Sequence, residues 1–300
     1  MKKSKIKALV YMNEDDLDDS RTSGSYLIKT IRENFPERFD LKVTSKPDVD
    51  IASDYDVIIS RFNPVRLDFL KRLNIYDDGS RLFVNPPKTQ MKYADKTHLR
   101  SVNGGVIPVT YIGSDPFAIA TFMKSLRIVG KDVLVKPVIG YGGQGVRRLG
   151  LNGESVTQLE MLANDLTDYG RNEFVVQEYL DGIERCGDKR IHVLFGESVT
   201  PILRFPKKGY VCNLASGGTG VKSELDSEDR RILNGIMPFL RRNGIVWAGV
   251  DIMGSSSGRK YLGEVNLAAP GALIDTDEIY GNDYCVNTLI RKIMENRYDN

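Results

Sequence analysis

Val133-Leu134-Val135-Lys136-Pro137 runs through two residues into Gly140-Tyr141-Gly142-Gly143-Gln144-Gly145, and Val146-Arg147-Arg148-Leu149 follows directly. Two strands flanking a glycine loop read as an antiparallel hairpin. Four glycines in six positions let backbone N–H groups approach and cradle phosphate oxygens where side chains would block them. No Gly-Lys-Ser/Thr follows and the loop opens no helix, so neither the Walker nor the dinucleotide pattern applies. A plain hairpin turn is the competing reading of the loop by itself.

More than a hundred residues on, Asp251 sits inside the apolar run Trp247-Ala248-Gly249-Val250-Asp251-Ile252-Met253, and Glu264-Val265-Asn266 ends the next strand. Glu264 and Asn266, two apart, share one face of a strand. With Asp251 on a neighbouring strand they can present hard oxygen ligands to Mg²⁺. A carboxylate in an apolar strand is costly to bury unpaired, and a cation compensates it. The chain has only 2 histidines and 3 cysteines, Cys186, Cys212 and Cys285. They form no Cys-x-x-Cys pair, which disfavours a zinc site, a disulfide framework and a cysteine nucleophile.

Outward from these stretches the chain reads as α/β. Ile6 to Met12 and Asp56 to Ser60 are buried strands separated by a helix near 25–35, and Arg81 to Asn85 is a third strand stopped by Pro86-Pro87. These elements predict a Rossmann-like open α/β unit over 1–90, whose ligands sit beyond the carboxyl ends of the strands. Arg61 lies at such an end and reads equally as a substrate-anion contact or a surface arginine. A small lobe carrying the glycine loop is expected over 91–170 and a C-terminal lobe carrying the oxygen ligands over 171–300. The acidic run Glu14 to Asp19 reads as a solvated loop.

Over 300 residues, 42 Lys plus Arg against 40 Asp plus Glu leave a formal charge of +2, which marks neither a nucleic-acid nor a membrane partner. The apolar run after the basic start is too short for a signal peptide, and no window is long enough for a membrane helix. A cytoplasmic protein is expected.

These stretches, in this order, resemble the ATP-grasp carboxylate–amine ligases, and most closely the prokaryotic glutathione synthetases. The resemblance rests on Val84-Asn85-Pro86, Asp95-Lys96, Val135-Lys136-Pro137 with the glycine loop, Gln177-Glu178-Tyr179-Leu180 and Gly187-Asp188-Lys189-Arg190. It continues through Asn213-Leu214-Ala215 with Gly217-Gly218, Gly249-Val250-Asp251-Ile252 and Glu264-Val265-Asn266. It implies an ATP-grasp fold of α+β lobes behind the first α/β unit, with ATP between two sheets. Lys96 and Lys136 would then contact phosphates beside Gly142, Gly143 and Gln144. Glu178, Tyr179 and Leu180 would hold adenine, and Asp188 would lie near the ribose. Asp251, Glu264 and Asn266 would hold Mg²⁺ or Mn²⁺, and Arg190 and Arg204 would face the acyl phosphate. Arg61, Asn213, Gly217 and Gly218 are the expected substrate contacts, under a lid spanning about 205–221. The partners implied are a small carboxylate and a small amine, within a homo-oligomer, a dimer or a tetramer.

The chain departs from that family at Val211 and Thr219, where arginines are usual, and at Leu267-Ala268-Ala269-Pro270, where Thr-Ser-Pro is usual. A pocket reads its ligand through the polar groups it offers, so the acceptor side differs. Two alternatives to a glutathione synthetase therefore stand. One is a ligase for another acid or amine, in the manner of the ribosomal-protein glutamate ligases. The other is a nucleotide-binding protein without catalysis.

Overall fold

Three sheets follow one another along the chain, the first parallel and the other two antiparallel. The computed structural model describes residues 4–19, 21–101, 107–140, 143–199 and 201–298. The first sheet is built from β1 (Ile6–Tyr11), β2 (Phe39–Thr44), β3 (Val57–Ser60) and β4 (Leu82–Val84), all parallel in the order β2-β1-β3-β4. Its helices are α1 (Glu14–Asp18), α2 (Ser23–Asn34), α3 (Leu67–Leu73) and α4 (Pro87–Lys92). β1 and β3 read as near-continuous apolar runs because a parallel sheet is covered on both faces. β2 is an edge strand with the alternation Phe39-Asp40-Leu41-Lys42-Val43-Thr44, a half-buried pattern that the expected strand, helix, strand order had passed over. Acidic residues 14–18 form α1 rather than a loop, which puts three carboxylates on a first turn where the helix dipole favours them.

The second sheet comprises β5 (Thr110–Gly113), β6 (Val133–Pro137), β7 (Arg147–Leu149) and β8 (Phe174–Glu178), antiparallel in the order β5-β8-β6-β7. α5 (Pro116–Ile128) and α6 (Val156–Thr167) pack on it through Ile119, Met123, Leu159 and Ala163. α6 starts at a capping box of Ser155 and Gln158. β8 is central and pairs with β5 and β6, so this lobe runs past the expected boundary at residue 170. The glycine loop joins β6 to β7 as the hairpin reading requires. Gly143 (φ 77°) and Gly145 (φ 70°) take the left-handed backbone that favours glycine. Tyr141 and Gly142 lie outside the described residues.

The third sheet follows α7 (Ile183–Cys186) and contains β9 (Asp188–Leu194), β10 (Glu197–Ser198), β11 (Ile202–Phe205), β12 (Thr219–Lys222), β13 (Trp247–Gly254) and β14 (Lys260–Asn266). Its order is β12-β11-β9-β13-β14 with β10 beside β9. α8 (Ser227–Arg242) covers one face, seating Ile232, Ile236 and Leu240 against Ile191, Val250 and Leu262. Burying such aliphatic side chains contributes about 1.5–3 kcal/mol each. α9 (Leu273–Tyr280) and α10 (Tyr284–Tyr298) close the chain.

α10 does not stay with its own lobe. Cys285, Val286, Leu289, Ile290 and Ile293 join Val10, Leu27, Ile31 and Ile59 in one core, so the last helix covers the first sheet. The unit expected over 1–90 is thus completed by residues from the far end of the chain. Among the described residues no helix is long and apolar enough to cross a membrane.

Candidate active site

The charged residues of the third sheet form a row across four adjacent strands. Arg204 on β11 lies opposite Asp188 on β9, Arg190 on β9 lies opposite Asp251 on β13, and Asp251 lies opposite Glu264 on β14. A bulge creates the last pairing. The register shifts between Asp251 and Ile252, leaving Gly263 as the extra residue, so that Leu262 and Val265 both face the core while Glu264 and Asn266 face the cleft. Strict alternation would have put Glu264 on the same face as Leu262; an extra residue re-aims a side chain in this way. The same-face reading of Glu264 and Asn266 agrees with this geometry.

Within the row every charge has a partner. Asp251 is held by Arg190, with Nη2 to Oδ2 at 2.9 Å, and by Arg204 Nη2 at 3.0 Å. Arg204 also grips Asp188 through Nε at 2.7 Å and Nη2 at 2.8 Å. Fork-shaped guanidinium contacts of this kind fix orientation as well as charge. Burial would raise the Asp251 carboxyl, yet Arg190 and Arg204 outweigh it and hold the group below its ordinary value. Asp188 moves the other way, raised by burial and by the adjacent Asp251 charge, with Arg204 offsetting only part.

The second sheet faces this row with a different chemistry. Lys136 on β6 is buried, and its Nζ donates to Gln177 Oε1 on β8 at 3.0 Å, while Gln177 Nε2 donates to Thr110 Oγ1 at 2.8 Å. Desolvation lowers the Lys136 ammonium from its usual range. No carboxylate among the described residues lies within ion-pair distance of it. Lys96 reaches the same cleft from a short helical turn, donating to the Gly140 carbonyl and standing 3.8 Å from Glu264 Oε1.

One cavity of about 160 Å³ gathers most of the expected residues. Lys96, Lys136, Gly143 and Gln144 line its second-sheet side, and Asp188, Arg190, Arg204, Asp251, Glu264 and Asn266 line the other. Tyr210, Val211, Cys212 and Asn213 come in from the expected lid. Val211 closes onto the glycine loop: a Cβ on Gly143 would stand 2.6 Å from Val211 Cγ1. Tyr210 packs edge-on to Tyr179 at 5.9 Å and accepts from the Arg148 N–H at 2.9 Å. Cys212 is buried beside Tyr179 and Ile183, which pushes its thiol up to about 12.

Other expected residues fall elsewhere. Glu178, Tyr179 and Leu180 link β8 to α7; Glu178 pairs with Lys131 at 3.2 Å, and Tyr179 and Leu180 are buried. Tyr179 adjoins the cavity through the apolar cluster of Leu134, Met253 and Cys212, and none of the three lines it. Gly217 and Gly218 shape the lid instead of lining the cavity: Gly217 takes φ 86°, and a Cβ on Gly218 would meet three backbone carbonyls within 3.0 Å. Asn213 lines the cavity and caps the Ala215 N–H at 3.1 Å. Arg61 corrects the surface-arginine reading and does not line this cavity. Its guanidinium is buried 4.4 Å from the Trp247 ring centroid and donates to the Pro270 carbonyl at 3.1 Å, so it props the segment after Asn266. Desolvation lowers it to about 10.

Sequence reading missed Asn85 as a structural residue in its own right. Its side chain donates to the Trp247 and Leu267 carbonyls, both at 2.7 Å, and accepts from the Val246 and Trp247 N–H groups at 2.8 and 2.9 Å. Gln177 and His98 were missed as well, the first beside Lys136 and the second in a neighbouring cavity.

Comparison with known proteins agrees with this geometry. The sequence profile of the prokaryotic glutathione synthetase ATP-grasp domain matches residues 97–281. The chain is 30% identical to the glutathione synthetase of Mesorhizobium japonicum over 77% of this chain and 71% of that one. It is 29% identical to that of Thermosynechococcus vestitus over 70% and 62%. Against the enzyme of Buchnera aphidicola subsp. Baizongia pistaciae the identity is 28% over 96% and 86%. Among solved structures, the D-cycloserine synthetase DcsG superposes with TM-score 0.69 at 16% identity, covering 95% of this chain and 99% of that one. A D-alanine–D-alanine ligase from Bacillus anthracis complexed with ATP superposes with TM-score 0.65 at 14% identity, covering 98% and 99%. At these identities the superpositions speak to the fold alone.

Proposed function

The chain belongs to the prokaryotic glutathione synthetases of the ATP-grasp ligases, and we propose that it joins γ-glutamylcysteine to glycine with hydrolysis of ATP to ADP and phosphate. One observation carries the reading: buried Lys136 on the second sheet, with no carboxylate partner among the described residues, and Lys96 beside the glycine loop face a row of oxygen ligands and arginines on the third sheet, inside one cleft.

The donor set fits a divalent cation. Asp251, Glu264 and Asn266 offer two carboxylates and an amide, the hard oxygens that Mg²⁺ or Mn²⁺ prefers. Asn266 Nδ2 is buried without a partner among the described residues, so no hydrogen bond from it holds the amide against turning toward a cation. Mg²⁺ held there would neutralise oxyanion charge on the transferring phosphoryl group.

The chain's own residues divide the remaining work. Lys96 and Lys136 meet the phosphates, and Lys136 gains an anionic partner that its buried site lacks. Arg190 and Arg204, fixed by Asp251 and Asp188, stand where the substrate carboxylate attacks the γ-phosphoryl group in line. The products of that step are ADP and an acyl phosphate. The lid residues Tyr210 to Asn213 cover the cleft and keep water from the acyl phosphate until the amine displaces phosphate. Three free cysteines fit a reducing, cytoplasmic setting.

The test is magnesium-dependent ADP release with γ-glutamylcysteine plus glycine, read alongside glutathione formation. If that pair is silent while another acid and amine turn over, the substrate assignment is wrong and the ligase assignment stands. The apolar Leu267-Ala268-Ala269 beside the site makes other amines the first alternatives to screen.

A further inference from the structure

A second cavity, of about 110 Å³, adjoins the nucleotide cleft and shares Lys96, Gly140, Glu264 and Asn266 with it. Its other walls are the loop after β3 at Pro64 and Val65, Tyr93 and His98, and the apolar Leu267 to Ala269. Because the two cavities meet at Glu264 and Lys96, a molecule in the smaller one approaches the phosphoryl end of a molecule in the larger.

His98 gives this cavity its chemistry. Its Nδ1 lies within hydrogen-bond distance of the Asp95 carbonyl oxygen. A carbonyl only accepts, so Nδ1 carries the proton and the neutral ring leaves Nε2 as a bare lone pair. Nε2 is buried and finds no donor among the described residues. The two nearby candidates are committed elsewhere: the Tyr93 hydroxyl to Asn243 Oδ1 at 3.0 Å, and the Lys96 ammonium to Gly140 and Glu264. Burial lowers the basicity of the ring, consistent with the neutral form. A buried acceptor left empty is an expense that native interiors avoid unless a ligand fills it. An ionised carboxylate carries no proton to give it; an amine does.

We propose that the smaller cavity takes a small primary amine, and that His98 Nε2 accepts a hydrogen bond from one of its N–H groups, positioning the nitrogen for attack on the acyl phosphate. This rests on the ligase reading above. With one N–H held by His98, the nitrogen lone pair is free to attack the acyl carbon. The C–N bond forms, the C–O bond to phosphate breaks with its electron pair, and the proton lost by nitrogen leaves with the phosphate. The volume suits an amine of a few non-hydrogen atoms, glycine among them.

Steady-state kinetics of His98→Ala and His98→Gln test this, with γ-glutamylcysteine, ATP and a panel of amines led by glycine. His98→Ala should raise KM for the amine about tenfold with KM for ATP within about twofold of the parent, and His98→Gln, whose Oε1 can accept in place of Nε2, should recover most of that loss. The first half-reaction gives a separate readout. Positional isotope exchange in γ-18O-labelled ATP, run with the acid and without amine, should proceed in His98→Ala at the parent rate. Slowed exchange or a raised KM for ATP would show that His98 acts through Lys96 and overturn the proposal. An unchanged KM for the amine overturns it too. Absence of amide formation by the parent enzyme with every acid and amine pair overturns the ligase reading itself, and this one with it.

Discussion

The two sheets that enclose the cleft handle buried charge in opposite ways. On the third sheet, Arg204, Asp188, Arg190 and Asp251 neutralise one another across neighbouring strands before any ligand arrives. On the second, Lys136 is buried against an amide oxygen and has no anionic partner among the described residues. The first arrangement stabilises a geometry, since removing one partner strands a buried charge. The second stores an unmet demand, since desolvation has already been suffered and only a ligand supplies the counter-charge. Function and stability are therefore coupled with different signs on the two sides.

Asp251→Ala should break the third-sheet arrangement most severely. It removes an oxygen ligand and leaves Arg190 and Arg204 short of one carboxylate, so ADP release should fall by at least about a thousandfold. Stability should fall by about 3 kcal/mol, which calorimetry would register as a drop in Tm of roughly ten degrees. Lys136→Met tests the opposite sign. Turnover should drop about a hundredfold with a raised KM for ATP, while Tm stays level or rises by about two degrees. A large loss of stability in Lys136→Met would erase the contrast between the sheets.

A milder test addresses how the lid meets the glycine loop. Gly143→Ala puts a Cβ into Val211 at a backbone angle that disfavours alanine, so KM for ATP should rise about tenfold. Adding Val211→Ala should recover part of that rise, and no recovery would locate the defect in the backbone alone.

Asp277 calibrates burial without arginines. It accepts the Cys285 and Val286 N–H groups at 2.7 and 2.9 Å, and desolvation raises it to about 6. Between the unfolded value near 3.8 and about 6 the folded state binds more protons, so this group's contribution to stability falls as pH rises through that window. Asp251, held below its ordinary value, contributes stability above the unfolded range that is lost on acidification. The urea midpoint of Asp277→Asn relative to the parent should improve by roughly 2 kcal/mol equivalent from pH 4 to pH 7. Parallel pH profiles for the two proteins would refute the assignment.

What the sequence disclosed follows the same physical division. Lys136, Asp251 and Glu264 stand out because a charge interrupting an apolar strand is anomalous in a local window. The glycine loop stands out because only glycine supplies its backbone. Gln177 and Asn85 are ordinary residues whose meaning lies in partners far along the chain, 41 residues away for Gln177 and 162 for Asn85 with Trp247, and His98 takes its meaning from a cavity whose other wall is Glu264 to Ala269. Arg61 shows the limit of placing a residue by its strand end: position was correct, but its side chain turned inward to Trp247 and Pro270. The coverage of the first sheet by α10 left only an amphipathic pattern, which names no partner.

The four hydrogen bonds of Asn85 carry a mechanical consequence. They rivet the end of β4 to the start of β13 and to Leu267, while α10 clamps the same lobe from its other face. First and third lobes are thus tied into a single anvil, against which the second lobe with its glycine loop can close. Nucleotide exchange should follow the stiffness of the short strap at Tyr179 and Leu180, so that a proline or a glycine inserted there would retune the release of ADP.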